Sequence, residues 1–139
     1  MNAYTIGQLA VGHSESFAVT VTEAMMQGFL RATGDTSPIH VDEAAAAQRG
    51  YPGRVVYGML CAGLFSTLAG VHLPGATCLL HGVEAKFAKP VFIGDELTVT
   101  GTVTEVNTTF STIVVKAAIT NQRGEKVTRG VIKAGVAEG

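Results

Sequence analysis

Large apolar residues at Phe17, Val19 and Val21 alternate with the smaller Ser16, Ala18 and Thr20, a period of two that predicts an opening strand. The period then changes. Thr22 is placed to cap a helix with Glu23 in its first turn, and Met25, Met26, Phe29 and Leu30 form one apolar helical face that stops at Gly34. Asp42 is a second N-cap candidate, ahead of Glu43 and four alanines, with Gly50 as the stop signal. A third helix is expected over about 58–70. It is apolar almost all round, which predicts burial on every side. Beyond Pro74-Gly75 the chain becomes rich in Val, Thr and Ile over 77–86, 96–106, 111–121 and 125–134. Pro90, Gly94-Asp95, Asn107 and Arg123-Gly124 separate these runs. Strands flanking one buried helix imply an α+β layout in which a curved antiparallel sheet wraps around that helix.

Composition narrows the setting. The 139 residues form one domain by length, 1–139, with neither repeat nor linker. Charged residues are 15%, against about 25% in an ordinary soluble domain, so part of the surface is expected to be hidden in a homo-oligomer. The net charge of −1 and the lack of any basic run leave no electrostatic footprint for nucleic acid. Residues 55–83 contain no Asp, Glu, Lys or Arg, long enough to suggest a membrane span. Gly58, Gly63, Ser66, Thr67, Gly70 and His72 interrupt the apolar run, which favours a buried helix and no membrane. Cys61 and Cys78 sit in apolar stretches, the pattern of reduced thiols. With no signal peptide read at the N-terminus, a cytoplasmic location is expected. No metal site is expected, because His13, His40, His72 and His81 are scattered and neither cysteine has a ligand spacing.

The densest cluster of reactive residues is Thr33-Gly34-Asp35-Thr36-Ser37-Pro38-Ile39-His40. Pro38 fixes its own φ and drives Ser37 out of the helical region, so the backbone must turn between Asp35 and His40. Such a turn can aim a carboxylate and an imidazole at one water; it can equally leave Asp35 capping a turn and His40 as a satisfied loop histidine. Gly58 opens the uncharged helix. Its amide, at the positive end of the helix dipole, could receive a carbonyl oxygen that gains charge, or the glycine could simply permit close packing. Ser66, two turns on, is a third polar candidate, with a bond to a preceding carbonyl as its structural alternative.

Taken together, the Gly34-Asp35-Thr36-Ser37-Pro38-Ile39-His40 core, the helix start Val56-Tyr57-Gly58-Met59-Leu60 and the later Phe87-Ala88-Lys89-Pro90 stretch resemble the MaoC-like, or R-specific enoyl-CoA hydratase, family. The resemblance runs from about Phe17 to Lys133. It implies a single MaoC-like hotdog domain, a homodimer, and an acyl-CoA or acyl-carrier thioester bound near the dimer interface. It also implies that Asp35 and His40 hold the catalytic water, that Gly58 supplies an oxyanion contact and that Ser66 belongs to the site. Two positions depart from the family pattern. Ser37 stands where Asn is common before the proline, and Tyr57 where His is common before Gly-Met, so both are expected to bear on substrate binding.

The activity so implied is reversible syn hydration of a trans-2-enoyl-CoA to the (R)-3-hydroxyacyl-CoA, with no cofactor. Asp35 would take a proton from the attacking water. His40 would orient that water and help deliver a proton to C2. An acyl-carrier-protein dehydratase and a hotdog thioesterase are the nearest alternatives, and a non-catalytic acyl-CoA-binding module is the alternative from another class. An intact Asp35/His40 pair separates the enzymes from the module, which has no need of it.

Overall fold

The computed structural model describes residues 1–138. Its elements, in chain order, are β1 (Ser14–Thr20), α1 (Glu23–Thr33), α2 (Pro38–Val41), α3 (Glu43–Gln48), α4 (Gly58–Thr67), β2 (Cys78–Phe87), β3 (Glu96–Asn107), β4 (Thr112–Thr120) and β5 (Lys126–Val136). A 3-10 turn at Ile6–Gln8 precedes them, and a π turn, Leu68–His72, continues α4. The strands form one antiparallel sheet in the order β1-β3-β4-β5-β2, so β1 and β2 are its edges.

Alternation sets the inner face. Leu97, Val99 and Val103 on β3, Ile113, Val115, Ala117 and Ile119 on β4, and Ile132, Ala134 and Val136 on β5 are all buried. Helix α4 lies against this face, with Cys61, Ala62 and Phe65 turned inward and Leu68 following from the π turn. Two sheet glycines let the helix come close. A Cβ on Gly130 would stand 2.5 Å from the Phe65 ring, and one on Gly101 would stand 2.7 Å from Leu68. Each large side chain buried in this way contributes about 1.5–3 kcal/mol by removal from water. This is the curved sheet around a central helix that a hotdog fold requires.

One expectation needs correction. Helix α4 is not covered on every side within a single chain, because one sheet shields only one face. Met59 is 63% exposed, and Gly63 and Ser66 lie on the same open side. Beside it, edge strand β2 leaves Leu79, Leu80, Val83 and Phe87 exposed. Among the described residues, no helix is long and apolar enough to cross a membrane.

Candidate active site

Residues 34–57 leave the sheet and return to the start of α4. Thr22 caps α1 by accepting from the Met25 amide, and Gly34 ends the helix at φ 70°, in the left-handed region that glycine tolerates. The chain then turns on Asp35. Its Oδ1 accepts from the Ser37 amide at 3.0 Å and from the Ser37 hydroxyl at 2.5 Å. Pro38 starts the short helix α2 as its first residue, where its missing N–H costs nothing. Sequence reasoning found the turn here but not the helix after it. Asp42 caps α3 as expected, accepting from Ala44 and Ala45. Arg54 pairs with Glu23 and Glu43, tying α1 and α3 to the loop before α4.

His40 is anchored by the backbone of the same loop. Its Nδ1 lies 2.6 Å from the Val55 carbonyl, and the Val55 amide donates to the Ile39 carbonyl at 2.9 Å. A carbonyl can only accept, so Nδ1 carries the hydrogen and Nε2 is the nitrogen left for chemistry. Val55 and Val56 are themselves stitched to the loop before β3, through a bridge from Val55 to Phe92 and a 2.7 Å bond from the Val56 amide to the Val91 carbonyl. Buried Asp95 holds that loop by accepting from the Phe92 amide and from the Gln122 side chain, each at 3.0 Å.

His40 and Gly58 line one cleft of about 350 Å³, with Val55, Cys61, Phe87, Pro90 and Thr128 among the other walls. Gly58 sits against the Phe87 ring, which a Cβ there would meet at 3.2 Å. The Gly58 and Met59 amides, the first two of α4, have no protein acceptor among the described residues, so two donors remain at the positive end of the helix. Asp35 is not a wall of this cleft but is linked to His40 through Tyr57, whose hydroxyl donates to the Asp35 backbone oxygen at 2.7 Å and whose ring lies 4.3 Å from that of His40.

The hydroxyl and then the amide of Ser37 hold the Asp35 carboxyl below its usual range, so it is ionised at neutral pH. Burial, and then the charge of Asp35, push the Tyr57 phenol up, which keeps it a donor. Burial takes the Cys61 thiol up to about 11, so this cleft wall is not a nucleophile. No group of three His, Cys, Asp or Glu that could hold a metal occurs among the described residues.

The structure therefore gathers Asp35, Ser37, His40, Tyr57 and Gly58. Ser66 is placed elsewhere, about 12 Å further along the helix axis and on its exposed face, outside the cleft that holds His40. Tyr57, expected to bear on substrate binding, is 2% exposed and does not line the cleft. Sequence reasoning missed the Val55 carbonyl, Phe87 and Thr128. A backbone acceptor leaves no mark in a sequence. Phe87 carried one signal, a large aromatic directly ahead of the Ala88-Lys89-Pro90 break.

Residues 9–124 match the family model for the MaoC like domain. An (R)-specific enoyl-CoA hydratase of Rhodospirillum rubrum is 40% identical over 93 residues, which cover 67% of this chain and 65% of that protein. One from Aeromonas caviae is 38% identical over 90 residues, covering 65% of this chain and 67% of that protein. The chain thus spans about two thirds of the length of these curated relatives. Among solved structures, an unliganded R-hydratase of Pseudomonas aeruginosa superposes with a TM-score of 0.91 at 29% identity, covering 97% of this chain and 86% of that one.

Proposed function

The chain belongs to the MaoC-like domain family, and from that premise we propose that it is a hydro-lyase that reversibly adds water to a trans-2-enoyl-CoA to give the (R)-3-hydroxyacyl-CoA. The observation that carries the reading is one cleft lined by an imidazole with Nε2 free and by an unpaired helix-start amide, with an ionised carboxylate close enough to that imidazole to feel it electrostatically. A thioesterase or a binding module has no need of that combination.

In hydration, the water oxygen bonds to C3 as one of its O–H bonds breaks. Asp35, ionised and aimed by Ser37, accepts that proton. The same proton passes to C2 through His40 Nε2, which also orients the water, so both groups end as they began. Between these events the thioester oxygen carries enolate charge, and the Gly58 amide is the donor that stabilises it. Ser66 enters only if a second copy brings a groove across the outer face of α4. Loss of enoyl absorbance on adding crotonyl-CoA tests the reaction. Release of free CoA without hydration would favour a thioesterase, and no change in either would favour a binding module.

The homodimer is the second part of the proposal. An uncovered edge strand bearing Leu79, Leu80, Val83 and Phe87, next to the open face of α4 at Met59, is surface that a two-fold partner would bury. Light scattering at micromolar protein should give about twice the chain mass. A dilution-stable monomer with full activity would contradict it. Two free cysteines, one of them buried, fit a reducing compartment, the cytoplasm.

A further inference from the structure

We infer that Tyr57 is a positioning residue that holds the carboxylate turn, the imidazole and the oxyanion helix in one register. This inference rests on the hydratase reading above. Three contacts carry it. The phenol donates to the Asp35 backbone oxygen at 2.7 Å, which fixes the turn that presents the carboxylate. The ring packs between His40, at 4.3 Å, and Phe29, at 4.4 Å, so the imidazole has a wall on one face in addition to its Val55 anchor. The Tyr57 carbonyl accepts from the Leu60 and Cys61 amides, which starts α4 one residue before Gly58.

One buried side chain therefore touches two of the three chemical groups and adjoins the third in sequence, yet none of its atoms lines the cleft. That placement predicts an effect on turnover and none on substrate binding. Ser37 and Tyr57 both act on Asp35, one on its carboxylate and one on its carbonyl.

The test is Tyr57→Phe, which removes the hydroxyl and keeps the ring, assayed with crotonyl-CoA in the wild-type and in the Asp35→Asn background. We expect kcat to fall about tenfold with KM within about twofold, because an interaction that matters only in the transition state lowers kcat and kcat/KM together. In the Asp35→Asn background the same change should cost nothing further, since the hydroxyl acts through Asp35. A raised KM at constant kcat would make Tyr57 a pocket wall, and equal losses in both backgrounds would make its role generally structural; either result overturns the inference. If Tyr57→Phe does not fold, Tyr57→Leu, which also removes the hydroxyl and keeps an apolar side chain in the buried site, carries the same comparison. Should Asp35→Asn itself keep wild-type activity, it is the hydratase reading that fails; should it lose activity while Tyr57→Phe loses none, the positioning role alone is wrong.

Discussion

Through β4 and in β3 as far as Val103 every second position is buried, and α4 with its following turn presses Phe65 against Gly130 of β5 and Leu68 against Gly101 of β3. In the stretch from Gly34 to Arg54 only Ala46 is fully buried, and order comes from hydrogen bonds: a carboxylate to its own turn, a histidine to a carbonyl, an aspartate capping four alanines. The first region is held by area removed from water, which tolerates small displacements. The second is held by directional contacts, which place a few atoms accurately and bury little. Stability should reside in the one and chemistry in the other, and substitutions can separate the two.

The largest expected effect is on turnover alone. Asp35→Asn keeps the shape of the turn and removes the base, so kcat should drop by about two to four orders of magnitude while thermal melting stays near wild type. His40→Ala should cost a similar factor. The double variant should be little worse than either, because two groups acting on one water work as a unit. Activity within a few-fold of wild type in either single variant would remove the pair from the mechanism. Additive losses would mean that the two do not share a water.

The converse change belongs to the sheet. Phe65→Ala empties the socket over Gly130 and should destabilise the fold by about 3–5 kcal/mol, read from denaturant unfolding. Turnover per folded molecule should hold within a few-fold. If kcat collapsed as far as in Asp35→Asn, the division between the two regions would be false.

The same division explains what could be read from the sequence. Period-two and helical patterns located the strands and helices within a few residues, because burial on one face is written directly into residue type. The turn at Ser37-Pro38 was legible for a similar reason, since proline constrains both itself and its neighbour. Helix α2 was not, as four residues cannot show a period. The open face of α4 escaped as well: Met59 and Gly63 look as apolar as their buried neighbours, and a lone chain does not say which apolar face a second copy takes. The hydrogen-bond partner of His40 is a main-chain carbonyl fifteen positions away, invisible to any pattern of side chains.

A smaller effect probes the electrostatics of the site. Ser37→Ala removes the hydroxyl that contributes most to holding the Asp35 carboxyl low, so that group should rise toward the ordinary carboxylate value. A base must be ionised to act, so the acid limb of the kcat/KM profile should move to higher pH. The linked stability has the same sign: a depressed carboxylate stabilises the fold above its unfolded pKa and loses that contribution as pH falls through its folded one. For a solvent-accessible group this contribution is small, so the shift should be visible in the rate profile and nearly absent from melting curves. An unmoved acid limb would mean that a group other than Asp35 sets it.

Stereochemistry tests the central claim most directly. If Asp35 and His40 act on one water at one face of an enoyl thioester whose oxygen is held at Gly58, both new bonds form from that face and addition is syn. The (R)-specific relatives imply which face of C3 meets the water, so hydration of crotonyl-CoA coupled to dehydrogenases selective for each enantiomer should give signal only with the (R)-selective enzyme. A product consumed only by the (S)-selective enzyme would contradict the proposed (R)-hydratase activity and the face of attack it requires.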